Sequence, residues 1–195
     1  MASLIVGEDW YEAGAGERWF YVGVEYTVTT SNSSVTVTFT RVYSDFGNVS
    51  VNGNISVRCG GTSIISQSGV RSSTYNYLAL NRTLTYTRPH NSGNAVYIDL
   101  MAEKMPYQGS TVTRTASARV DIPVLPSYTV SYNANGGSNA PYSQTKWHGE
   151  SLTLSSTKPS RTDYSFYHWN TNTSNTGSSY AAGSTYTANS SVTTT

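Results

Sequence analysis

The stretch Trp19-Phe20-Tyr21-Val22-Gly23-Val24-Glu25-Tyr26-Thr27-Val28 decides the fold class. Phe20, Val22, Val24, Tyr26 and Val28 fall at every second position, and most of the residues are β-branched or aromatic. A period of two sends alternate side chains to opposite faces of a pleated strand, where such residues fit best. The next segment, Val35-Thr36-Val37-Thr38-Phe39-Thr40-Arg41-Val42-Tyr43, repeats the pattern. No segment of helical length has apolar residues at a 3.6 period.

Working outward, Asn52-Gly53 between Asn48–Val51 and Ile55–Arg58 predicts a type I′ hairpin, and Gly60-Gly61 predicts a second turn. Tyr75 to Thr87, Ala95 to Met101 and Val112 to Ile122 read as further strands. They are divided by the turn clusters His90–Asn94 and Pro106-Tyr107-Gln108-Gly109. Seven or eight short strands in about 120 residues predict a β-sandwich, Ig-like or jelly-roll-like. Pro123-Val124-Leu125-Pro126 is an extended, stiff link. It divides an N-terminal arm (1–17) and a sandwich (18–125) from a smaller β domain (127–195).

Charged residues are 12% of the chain against a usual level of roughly 25%, so the surface is mostly neutral and hydroxyl-rich. The 16 tyrosines and recurrent Val, Thr and Trp argue against a disordered polar chain. A net charge of +1 with scattered basic residues offers no footprint for nucleic acid or an anionic membrane. Cys59 is the only cysteine, which excludes an intrachain disulfide and a cysteine zinc site and suits a small buried hydrophobe. Met1–Asp9 has no basic n-region and too short an apolar run for a signal peptide. The expectation is a chain made in a cytoplasm without a secretion address.

Five of the eleven acids, Glu8, Asp9, Glu12, Glu17 and Glu25, fall near the N-terminus. A glycosidase needs two facing carboxylates, and the favoured reading here is a solvated arm. His90, His148 and His168 are far apart, and neither a paired histidine motif nor a G-x-S-x-G elbow occurs. The expectation is a non-enzyme without metal or cofactor. Among the aromatics, Trp147, Phe166 and Trp169 read as core. Tyr167 and His168 read as turned the other way, and Trp10 with Tyr11 as anchors of the arm on a neighbouring subunit. Trp10, Tyr11, Tyr167 and His168 are thus the candidate docking or glycan contacts.

Across 127–195, a series of elements keeps its order and spacing: Tyr128-Thr129-Val130-Ser131-Tyr132-Asn133-Ala134-Asn135-Gly136-Gly137, Trp147-His148-Gly149-Glu150-Ser151-Leu152-Thr153-Leu154, Lys158-Pro159-Ser160-Arg161-Thr162, Tyr164-Ser165-Phe166-Tyr167-His168-Trp169 and Tyr180-Ala181-Ala182-Gly183-Ser184-Thr185-Tyr186. This part resembles the InlB B-repeat, or Listeria–Bacteroides repeat. The resemblance implies a small β-grasp-like module of bacterial surface and phage tail proteins, used for spacing and adhesion. Two departures stand out. Asp163 and His168 occupy positions where the family usually has glycine, and the chain stops at Thr193-Thr194-Thr195 before an expected closing strand. This leaves three expectations for that sheet edge: a truncated chain, a strand supplied by a partner, or a partly disordered tail.

The first domain is similar to modules of minor structural proteins in siphophages of Gram-positive bacteria, through Thr30–Val35, the hairpin Leu84–Ile98 and the ending Ala116–Pro123. Together the resemblances imply an oligomeric virion protein, a minor tail or fibre component docking on other virion proteins and presenting the repeat to host cell-wall carbohydrate or surface protein. The alternatives are a capsid decoration protein and a bacterial cell-surface adhesin.

Overall fold

The computed structural model describes residues 1–47, 49–71 and 76–195. Asn48 and Tyr75, which the sequence places in strands, lie outside the described residues. The chain is all-β and divides into two compact units, Met1–Pro123 and Val124–Thr195.

The first unit is a β-sandwich. One sheet has the order β1 (Ala2–Glu12), β2 (Gly16–Thr30), β3 (Ser34–Gly47) and β6 (Asn76–Thr87). The other has β5 (Thr62–Val70), β4 (Gly53–Cys59), β7 (Asn94–Tyr107) and β8 (Ser110–Ile122). All pairings in both sheets are antiparallel. The alternation that identifies β2 also fills the core: Phe20, Val22 and Val24 are fully buried, and they share one cluster with Phe39, Phe46, Ile98 and Leu100. Glu8 on β1 pairs with Arg114 on β8 at 2.5 Å, and Trp10 meets Tyr107 edge-on with centroids 5.6 Å apart, so β1 is tied to the opposite sheet.

Residues 1–17 are therefore no arm. β1 pairs with β2 along its length, from Ala2 opposite Tyr26 to Glu12 opposite Gly16. Its inward residues Val6 and Trp10 belong to the core. The physical reason is that an alternating strand with one apolar face gains most by covering a sandwich.

Asn52-Gly53 is not a hairpin turn either. A type I′ turn needs positive φ at both central residues, yet Gly53 is the first residue of β4 and neither residue has positive φ. Glycine is required there by close approach: a Cβ would lie 2.8 Å from the Glu103 carbonyl oxygen. Gly60-Gly61 is a left-handed pair, with φ of 54° and 80°, and it closes the β4–β5 hairpin.

The second unit has a three-stranded sheet of order β10 (Gln144–Trp147), β9 (Ser127–Tyr132) and β15 (Val192–Thr194). Two short pairs accompany it: β11 (Leu152–Thr153) with β14 (Thr185–Tyr186), and β12 (Trp169–Asn170) with β13 (Ser179–Tyr180). The expectation of a missing closing strand is corrected here. β15 runs parallel to β9, with Val192 opposite Val130, and Thr194 is fully buried. Leaving that edge of β9 unpaired would expose backbone groups that β15 satisfies. Val130, Leu154 and Tyr186 form the core cluster, and Trp169 is fully buried.

Candidate functional site

The segment Ser160 to Asn175 builds the site. Arg161 and Tyr164 form an isolated bridge around a tight turn, with the Tyr164 amide donating to the Arg161 carbonyl at 3.2 Å. Asp163 sits in this turn at φ 64°, a left-handed conformation that short polar side chains tolerate better than others. This explains how Asp163 takes a position where the resembled repeat has glycine. The turn brings the Arg161 guanidinium 4.2 Å over the Tyr164 ring, while Nη1 donates to the Asn135 carbonyl at 2.8 Å. The cation is thereby fixed by a ring face and a backbone acceptor.

Beyond the turn, Phe166 meets the buried Trp169 edge-on with centroids 4.9 Å apart, and Tyr132 contacts the same indole. Tyr167 is 87% exposed and its ring lies 4.7 Å from His168. His168 Nε2 donates to Asn175 Oδ1 at 2.7 Å. The buried Asn170 carboxamide knits the following loop: Oδ1 accepts from the Asn172 and Gly177 amides, and Nδ2 reaches Asn175, Gly177 and Ser179. Backbone bonds between Asn170 and Thr195 tie this loop to the chain's last residue.

These parts enclose a groove of about 440 Å³, walled by aromatic rings, side-chain amides and hydroxyls, with Arg161 and His168 on its lining. The volume lies within the roughly 300–1,000 Å³ of small-molecule sites. The groove offers ring faces for stacking and side-chain amides and hydroxyls for hydrogen bonding.

Of the four candidate residues, Tyr167 and His168 line this groove. Trp10 and Tyr11 belong to the other unit and face opposite sides of β1. Tyr11 is 74% exposed, whereas Trp10 is 8% exposed and held in the core. Trp10 is thus withdrawn as a docking contact, since its ring is spent on Tyr107 and the sandwich interior. Tyr164, Phe166 and Arg161 were not singled out as contacts by the sequence. The signal for them was the glycine position filled by Asp163, which marks the turn that folds Arg161 back on Tyr164.

The N-terminal acids are largely engaged. Glu8 pairs with Arg114 at 2.5 Å, Glu12 with Arg18 at 3.2 Å and Glu25 with Arg41 at 2.6 Å, while Asp9 accepts from the Tyr21 hydroxyl at 2.5 Å. That bond, more than burial, raises the Tyr21 pKa. Cys59 is buried beneath Tyr86, and burial raises both pKa values. Among the described residues, no group of three or more His, Cys, Asp or Glu is placed to hold a metal ion.

Fold and groove together define an all-β protein of two units with a polar, aromatic groove on the second. Residues 128–194 match the Listeria-Bacteroides repeat domain, so the second unit carries that repeat. No curated protein matches the chain. Among solved structures, the variable (V) domain of the Streptococcus agalactiae AgI/II polypeptide BspA is similar at 19% identity. That match covers 60% of this chain and 72% of that one, with a TM-score of 0.24.

Proposed function

We propose that the chain is a non-enzymatic adhesive structural protein, its sandwich serving as the platform and its repeat as the contact surface. The observation that carries this reading is the groove in the Listeria-Bacteroides repeat, with Tyr164 and Tyr167 exposed beside it. Rings held at a surface by a bonded loop are anchors for weak contacts, which copy number multiplies into avidity. The finer reading places the protein in a bacteriophage virion, as an oligomeric minor tail or fibre component. It rests on the resemblance of the first unit to siphophage structural modules. Docking on other virion proteins would use the sandwich surface rather than an N-terminal arm, because β1 is already paired with β2.

A bacterial cell-surface adhesin is the second reading, favoured by the repeat itself. Mass spectrometry of purified phage particles and of washed cell walls separates the two. The virion reading expects stoichiometric copies in particles. Recovery from cell walls, with none in particles, overturns it in favour of the adhesin.

A further inference from the structure

The groove's chemistry narrows the class of its ligand. Tyr164, Phe166 and Tyr167 set ring faces and edges along one short run, and flat rings with polar rims suit the apolar face of a sugar ring. Asn133, Ser160 and Thr173 add amide and hydroxyl groups to the lining. Among the described residues, no Asp or Glu side chain lines the groove, and its guanidinium, Arg161, already stacks on Tyr164 and donates to the Asn135 carbonyl. A strongly ionic ligand therefore meets little free complementary charge.

A second, independent observation concerns Trp169. It lines the groove, is fully buried, and its indole N–H has no hydrogen-bond partner among the described residues. Buried donors normally find an acceptor. The surrounding loop is also prepared: the Asn170 carboxamide and the His168–Asn175 bond hold it by side-chain hydrogen bonds, which lowers the ordering cost of binding.

We propose that this groove binds a short segment of neutral saccharide, with Tyr167 stacking on a sugar ring and a ligand oxygen accepting from the Trp169 indole N–H. The assignment rests on the adhesive reading and names its ligand class. His168, standing where the resembled repeat has glycine, contributes a wall: its ring lies against Tyr167 and its Nε2 is bonded to Asn175.

The test is a titration of the isotope-labelled full chain with chitotetraose, with maltotetraose and, in parallel, with an anionic heparin tetrasaccharide, read by amide and indole N–H resonances. The expected result is a saturable shift confined to groove residues and the Trp169 indole N–H with at least one neutral tetrasaccharide. Binding should weaken about tenfold in Tyr167→Ala, whose spectrum elsewhere is unchanged because the side chain is solvent-exposed. Absence of groove shifts with both neutral sugars at millimolar concentration overturns the proposal. So does binding of the anionic sugar alone, with loss in Arg161→Gln. Cell binding keeps the two readings apart. If Tyr167→Ala adheres as well as the parent chain, adhesion stands and the saccharide groove falls. If the parent chain does not adhere, the adhesive reading falls while the titration still decides the groove.

Discussion

Lys146 is 1% exposed, and its ammonium donates to the Trp147 carbonyl at 2.7 Å and to Asn189 Oδ1 at 3.1 Å. The same Asn189 oxygen accepts the Gly149 amide at 2.8 Å, so one carboxamide serves a buried cation and a turn. Asn189→Ala strips the cation of a partner and should destabilise the second unit by roughly 1.5–3 kcal/mol, read as a lower urea midpoint. In the first unit, the Tyr86 hydroxyl lies 3.3 Å from Cys59 Sγ, and burial raises the pKa of each. Tyr132 in the second unit is raised by the same cause. A folded-state pKa above the unfolded one means that the native state keeps protons the unfolded chain has released. The contribution is complete below the ordinary values of 9.0 for Cys59 and 10.0 for the tyrosines and is lost as pH rises above them. Urea midpoints should accordingly fall from neutral pH into this alkaline range, and less steeply in Tyr86→Phe.

At the scale of elements, β1 is where sequence and structure part most. Its alternation was readable, but five acids within the first 25 residues outweighed it, and the pair that ties β1 to the opposite sheet could not be read locally, since Arg114 lies 106 residues from Glu8. If β1 is core, Trp10→Ala should cost roughly 3–5 kcal/mol in chemical denaturation. An arm would tolerate the change. Outward-facing Gly7, Gly23 and Gly47 lie directly opposite Tyr21, Tyr43 and Trp19 in the β1–β2 and β2–β3 ladders. A Cβ on Gly7 would strike the Tyr21 ring and come within 2.5 Å of the Phe20 carbonyl oxygen. Gly7→Ala should therefore destabilise the sandwich by about 1–3 kcal/mol, measured by the same denaturation.

The period of two gave β2 and β3 their type and β2 its buried face. It could not give the bulge: Thr40 is skipped in the pairing with β2, and its hydroxyl donates to the Glu25 carbonyl at 3.2 Å. Past it, the buried set moves from Val35, Val37 and Phe39 to Val42, Ser44 and Phe46. A bulge reverses which parity faces inward, and nothing local in Thr38-Phe39-Thr40-Arg41 announces that. Gly53 misled for a related reason, since a glycine demanded by the Glu103 carbonyl looks in sequence like one demanded by a turn.

For the whole molecule, the sandwich and the repeat each hold their own core cluster, and the groove lies wholly within the repeat. Tyr167 and His168 stood out in the sequence as candidate contacts, but consecutive side chains on alternating backbone point to opposite faces, so it is the irregular backbone of 165–168 that sets both on the groove. Arg161 and Asn135 did not stand out, since a cation over a ring and a carbonyl 26 residues away are set by turn geometry rather than by period. The most direct test of the central claim is adhesion to Gram-positive cells of the fluorescently labelled full chain, compared with a chain ending at Pro123 that retains a cooperative unfolding transition. Saturable binding by the full chain, lost when the repeat is removed, is the expected result. Equal binding by both, or binding by neither, would contradict it.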